Sequence, residues 1–158
     1  MGEEWFKLEV LQNYSAKDDS PSLRSWLRGD KHKSIEQMNA ADNREWISSC
    51  QEKLRHGIKL IRVHVVEKPY SPYIEWELEH YRYVNVAKCG EAVYLLDKAQ
   101  AADLELPAGD LMIFDNSRAV LNEYQNGRMV QETFYDQGDD ILRFLELRKT
   151  MMERAKKL

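Results

Sequence analysis

Two cysteines, four prolines and seven glycines are all that this chain of 158 residues holds of the types that staple, break or loosen a backbone. Cys50 and Cys89 lie far apart in sequence and make no disulfide framework, so free thiols in a reducing compartment are expected. The scattered glycines form no Walker loop, no Gly-x-Gly-x-x-Gly turn and no Gly-x-Ser-x-Gly elbow. His32, His56, His64 and His80 have no His-x3-His spacing and the cysteines no Cys-x2-Cys spacing, so neither a metal nor a cofactor is expected. No apolar run approaches the roughly 20 residues of a membrane span. No basic segment with an apolar core opens the chain, which points to a cytoplasmic protein off the membrane. A net charge of −4 supplies no bulk attraction to DNA, so no direct nucleic-acid contact is expected.

With 43% hydrophobic and 32% charged residues, the composition is that of a globular protein. The length suits a single domain over residues 1–158. Residues 5–11 alternate as a strand, with Phe6, Leu8 and Val10 on one face. A polar loop over 12–19 follows, then a short helix from Ser20-Pro21 that stops at Gly29. Residues 30–41 have little periodicity and read as an exposed connection. A helix capped by Asp42 and Glu45 carries Ile47, Cys50 and Leu54 to a stop at Gly57.

Residues 58–66 form a strand with Ile61, Val63 and Val65 on one side. Leu60, Arg62, His64 and Val66 lie on the other, a pattern for a strand covered on both faces. Residues 71–84 permit two readings. Ile74, Trp76 and Leu78 alternate with Glu75, Glu77 and Glu79 as in a strand, but the Ser71-Pro72 start and the helix formers favour a helix. Further strands are expected over 91–96 and 111–114 and in a hairpin turning at Asn126-Gly127, with Val120 opposite Thr133 and Ala119 opposite Phe134. An amphipathic C-terminal helix from Asp139 carries Phe144, Leu147, Met151, Ala155 and Leu158 on one stripe. The fold class is α+β, a mostly antiparallel mixed sheet of five to six strands with helices packed against it.

Arg62 and His64 point the same way from their strand, and partly desolvated heads need partners. Glu75, Glu77 and Glu79 are the nearest acids. Such a cluster is either a structural network or a site for an anion or small ligand. Tyr70, Tyr73, Trp76, Tyr81 and Tyr83 beside Arg82 suit packing or an interaction surface.

The chain resembles an uncharacterised family of small actinobacterial proteins, a domain of unknown function often encoded beside helix-turn-helix regulators. The resemblance rests on Phe6-Lys7-Leu8-Glu9, on Arg62-Val-His-Val-Val66 with Pro69, and on Ser71 with Tyr73. It continues through Asn85-Val86, Gly90-Glu91, Leu106-Pro107, Asp110, Phe114-Asp115 and Gly127-Arg128. It implies no activity, but a regulatory partner by association. The first functional reading is a non-enzymatic module that binds a protein partner, such as a DNA-binding regulator, through an acidic and aromatic surface at Tyr73 and Trp76. The alternative is a small-molecule or anion pocket, or an enzyme, built on Arg62, His64, Glu75 and Glu79 with Asp110 and Asp115 nearby.

Overall fold

Phe6 and Leu8 alternate with Lys7 and Glu9 along β1 (Glu4–Glu9), and Val63 and Val65 alternate with Arg62 and His64 along β2 (Lys59–Val66). The structure, a computed structural model, describes residues 3–14, 20–40 and 43–158. It pairs these strands in parallel, Lys7 opposite Arg62 and Glu9 opposite His64. β3 (Ala92–Asp97) runs parallel on the far side of β2.

Strands that advance in one direction through right-handed crossovers place their connecting helices on one face. Those helices are α1 (Pro21–Leu27), α2 (Lys31–Met38) and α3 (Arg44–Arg55) between β1 and β2, and α4 (Pro72–His80) between β2 and β3. β4 (Gly109–Phe114), β5 (Arg118–Gln125) and β6 (Arg128–Tyr135) add antiparallel on the open side of β1. After α5 (Asp139–Arg154), the two residues of β7 (Lys156–Lys157) close the opposite edge on β3. The sheet order is β6-β5-β4-β1-β2-β3-β7.

The two sheet faces differ in chemistry. Phe6, Leu8, Val63, Val65, Leu111 and Ile113 pack with Ile141, Phe144 and Met151 of α5 in an apolar core. The opposite face carries Lys7, Glu9, Arg62 and His64 and is roofed by α1–α4, whose Trp26, Met38, Cys50, Ile74 and Trp76 form a second core. Cys50 and Cys89 are free and buried in it, near enough for one thiol to hydrogen-bond the other. Burial pushes the Cys89 thiol up to about 12, which keeps it protonated and inert.

The mixed α+β sheet matches expectation, but it has seven strands where five to six were expected. The extra one is β7, inside a stretch read as helix. The helix ends at Arg154, Ala155 turns extended, and the Leu158 amide donates to the Val93 carbonyl at 2.9 Å. Two edge residues leave no periodic trace.

Residues 31–38 are helix rather than an exposed connection. Asp30 caps them through the Lys33 amide at 3.1 Å, and Met38 and Ser34 are buried against α1 and α4. Tertiary packing makes this helix where propensity gives little sign of it. The hairpin register holds at Gln125–Arg128 and Tyr124–Met129, then slips by one residue. A bulge on β6 puts Thr133 opposite Leu121 and Phe134 opposite Val120. The cap expected from Asp42 and part of the loop at 12–19 lie outside the described residues. Among the described residues no helix is long and apolar enough to cross a membrane.

Candidate functional site

The polar face of β1 and β2 does not close against α4. Between them lies a cavity of about 400 Å³. Its floor is Lys7, Glu9 and Arg62 from the sheet. α4 and the π-helical turn after it (Tyr81–Val86) contribute Tyr73, Trp76, Glu77 and Tyr81. Asp110 and Tyr124 close one side, and Tyr14, Trp46, Asn43, His80 and Asn85 complete the wall.

The placement of each group follows from local structure. Parallel in-register pairing stacks Lys7-Glu9 beside Arg62-His64. Ser71 accepts the Ile74 amide at 3.2 Å and starts α4, and helical spacing then aligns Tyr73, Glu77 and Tyr81 on the inner face. The π turn, marked by the Ala87 amide donating to the Arg82 carbonyl at 3.3 Å, follows directly on Tyr81. Such turns are frequent at functional sites.

Arg62 is the hub. Its Nε donates to Glu91 Oε1 at 2.9 Å and its Nη1 to Glu9 Oε1 at 2.5 Å. Lys7 Nζ also reaches Glu9 Oε1, at 2.8 Å. Burial pushes the Glu9 carboxyl up, but Arg62, Lys7 and His64 outweigh it and hold it well below the usual carboxylate range.

The protonation of His64 follows from counting hydrogens. Its Nε2 faces the Leu11 carbonyl at 2.7 Å, which can only accept. Its Nδ1 faces the Tyr81 hydroxyl at 2.9 Å, whose single hydrogen is given to ionised Glu9 Oε2. Both ring nitrogens therefore donate, and His64 is an imidazolium. Burial alone would lower its pKa, but Glu77, Glu9 and the Leu11 carbonyl raise it.

Asp110 is held differently. It accepts from the Tyr14 hydroxyl at 2.7 Å, the Tyr124 hydroxyl at 3.2 Å and the Val10 amide at 3.3 Å, all uncharged donors. Burial, with the Glu9 charge adding to it, pushes its carboxyl up to about 6. A carboxyl that binds its proton more tightly folded than unfolded stabilises fully below its ordinary value of 3.8 and loses that contribution as pH rises through about 6. Asp110→Asn, which cannot ionise, is expected to gain on the wild type by roughly 1–3 kcal/mol between about pH 4 and about pH 7. Urea melts of both proteins across that range check it, and a constant difference would contradict it.

Of the residues singled out from the sequence, Arg62, Tyr73, Trp76 and Asp110 line the cavity, and His64 lies fully buried beneath it. Tyr73 and Trp76 are 4% and 3% exposed, so they are walls of the cavity rather than an outer patch. Glu75 faces solvent, and Glu79 pairs with Arg82 at 2.7 Å. Their helical phase turns both away from Arg62, and the partners it takes are Glu9 and Glu91. Asp115 sits at the other end of β4, about 17 Å along the strand from Asp110, where it accepts the Glu4 amide.

Glu9, Glu91, Tyr14 and Tyr124 were not singled out, and Glu77 entered only as one of three acids near Arg62 and His64. The signal for Glu9 was present, since it alternates with Phe6 and Leu8 as His64 does with Val63 and Val65. Glu77 was marked by its i, i+4 relation to Tyr73 and Tyr81.

Glu9, His64 and Glu77 bring one potential ligand atom each within 4.8 Å of the others. The three come from separate elements, so local spacing could not show them. While both nitrogens of His64 carry hydrogens, the ring has no lone pair to offer a cation.

No curated protein and no solved structure matches the chain. A family model described as Domain of unknown function (DUF6879) matches it over residues 1–158. The match spans every strand that builds the cavity floor and every helix that roofs it, and the chain belongs to that family, whose function is unknown.

Proposed function

We propose that this protein binds a small polar molecule in the cavity beneath α4. The observation that carries the reading is the convergence of Glu9, Glu77 and Asp110 with four tyrosines and two tryptophans around one space of about 400 Å³. Few convergent polar groups set in aromatic walls are the usual makings of a ligand site. Binding, rather than catalysis, is what the wall supports. The His64 imidazole and the tyrosine hydroxyls are spent on internal hydrogen bonds, which leaves Glu77 and Asp110 as the groups that hold a guest.

Trp46, 38% exposed, is the wall residue best placed for truncation without damage to the core. Trp46→Ala is expected to weaken by about tenfold any compound that raises the wild-type melting temperature in a set of small amines, amino acids, carboxylic acids and nucleosides. Thermal shift and calorimetric titration check it. A set in which nothing binds, or binding that Trp46→Ala leaves unchanged, would overturn the reading.

A protein partner is a second role, favoured by a different surface. Met129, Val130 and Phe134 of edge strand β6 are 56%, 61% and 72% exposed. Open edges invite strand addition. The resemblance to small actinobacterial proteins encoded beside helix-turn-helix regulators makes a DNA-binding regulator the partner we propose. Val130→Lys with Phe134→Glu should abolish co-purification with such a regulator while leaving the cavity's binding intact. Unchanged co-purification would sink it.

A further inference from the structure

The cavity wall has spent its hydroxyl hydrogens. Tyr14 and Tyr124 give theirs to Asp110, Tyr73 gives its own to Glu77 Oε1 at 3.3 Å, and Tyr81 gives its own to Glu9. The indole N–H of Trp76 goes to Ser22 Oγ at 2.9 Å. The two cations of the floor are engaged as well, Arg62 between Glu9 and Glu91 and Lys7 on Glu9.

The carboxylates and the π faces are what the roof offers a guest, while the spare N–H hydrogens belong to Lys7 and Arg62 of the floor. Glu77 Oε2 is buried and accepts no hydrogen bond. It pairs by charge with His64, whose Nδ1 lies 3.2 Å away, while the hydrogen on that nitrogen is directed at Tyr81, so the oxygen keeps its lone pairs for a further donor. Asp110 rests on neutral donors alone. The rings form one continuous wall, with Tyr14 5.9 Å from Tyr73 and 5.4 Å from Tyr124, and Tyr73 5.4 Å from Trp76.

We propose that the cavity's ligand presents an organic cation, an ammonium or guanidinium head on a small carbon frame, to Glu77 and Asp110 among these rings. The inference rests on the reading of the cavity as a ligand site and adds the ligand's chemistry. A cationic head brings hydrogens to Glu77 and Asp110 and meets the negative faces of the aromatics. A carboxylate head would face two carboxylates, and an apolar one would strand the buried oxygen of Glu77. Lys7, with its side chain 33% exposed, is where an anionic tail on the same molecule would lie.

The test titrates ¹⁵N-labelled protein at constant ionic strength with n-butylammonium, n-butylguanidinium, 1-pentanol and pentanoate, following the indole N–H signals of Trp46 and Trp76. Both cations are expected to give saturable shifts, with pentanoate and pentanol weaker by about tenfold or more. Glu77→Gln should weaken the cations by about tenfold and narrow the gap to the alcohol. If that variant fails to fold, the ranking of probes on the wild-type protein still decides.

Pentanoate or pentanol binding as tightly as butylammonium would overturn the cationic head and leave the ligand site standing. No indole shift with any probe would overturn both. Stoichiometric zinc binding that excludes butylammonium would assign Glu9, His64 and Glu77 to a metal, and the organic cation would fall.

Discussion

Arg62→Ala is expected to lower the free energy of unfolding by about 3–5 kcal/mol, the usual consequence of removing one partner from a buried ion pair. Among the described residues the guanidinium is the only cation paired with Glu91, whose other oxygen accepts from Asn85 at 2.5 Å. Glu9 keeps Lys7 and His64 but loses its closest charge. Arg62→Lys should recover little, because one ammonium cannot reach Glu9 and Glu91 through two separate nitrogens. Arg62→Ala with Glu91→Gln should recover part of the loss, since an amide at 91 leaves no stranded charge.

The pH dependence has a definite sign. A carboxyl whose folded pKa is depressed stabilises above its unfolded value and loses that as pH falls through the folded one. Glu9 is such a group, held low by Arg62. Without Arg62 its folded value rises, so the gap between wild type and Arg62→Ala should shrink from about pH 7 to about pH 4. Chemical denaturation across that range measures it, and a gap that widens in acid would contradict it.

Gly109→Ala is the second large effect, expected at about 3 kcal/mol or more. Gly109 lies opposite Glu123 in the β4–β5 ladder. A Cβ added there would stand 1.8 Å from the Asn122 carbonyl oxygen and 2.9 Å from the Glu123 Cα. Both are backbone atoms, so relief requires the strands to part next to Asp110, and the side of the cavity goes with them. A melting temperature within about 2 °C of wild type would show that the ladder tolerates the methyl.

How much of this was legible in the chain depended on the range of each signal. Strand parity is local: it put Phe6 and Leu8 on one face of their strand and Val63 and Val65 opposite Arg62 and His64 on theirs, and the pairing of the strands joins the apolar faces in one core. Ser71-Pro72 announced α4, and Asn126-Gly127 its turn.

The partners of Arg62 could not be read locally. Glu9 lies 53 residues away and reaches it only because β1 and β2 pair in parallel and in register. Glu75 and Glu79 looked nearest in sequence, yet a helix of 3.6 residues per turn carries both away from the face that bears Glu77. α2 was missed because its stability comes from burial of Met38 and Ser34 by its neighbours, not from its own apolar pattern.

The charges under the cavity are read as a closed circuit with a protonated His64 at its base, and imidazole nitrogen NMR tests this most directly. In protein labelled at its histidines, both ring nitrogens of His64 should carry hydrogens at about pH 7.5, with Nε2 bound to the Leu11 carbonyl. A neutral ring with one bare nitrogen would contradict it. The hydrogen of Tyr81 would then be free to point at His64, Glu9 would lose a donor, and the floor would no longer be a settled base for a cationic guest.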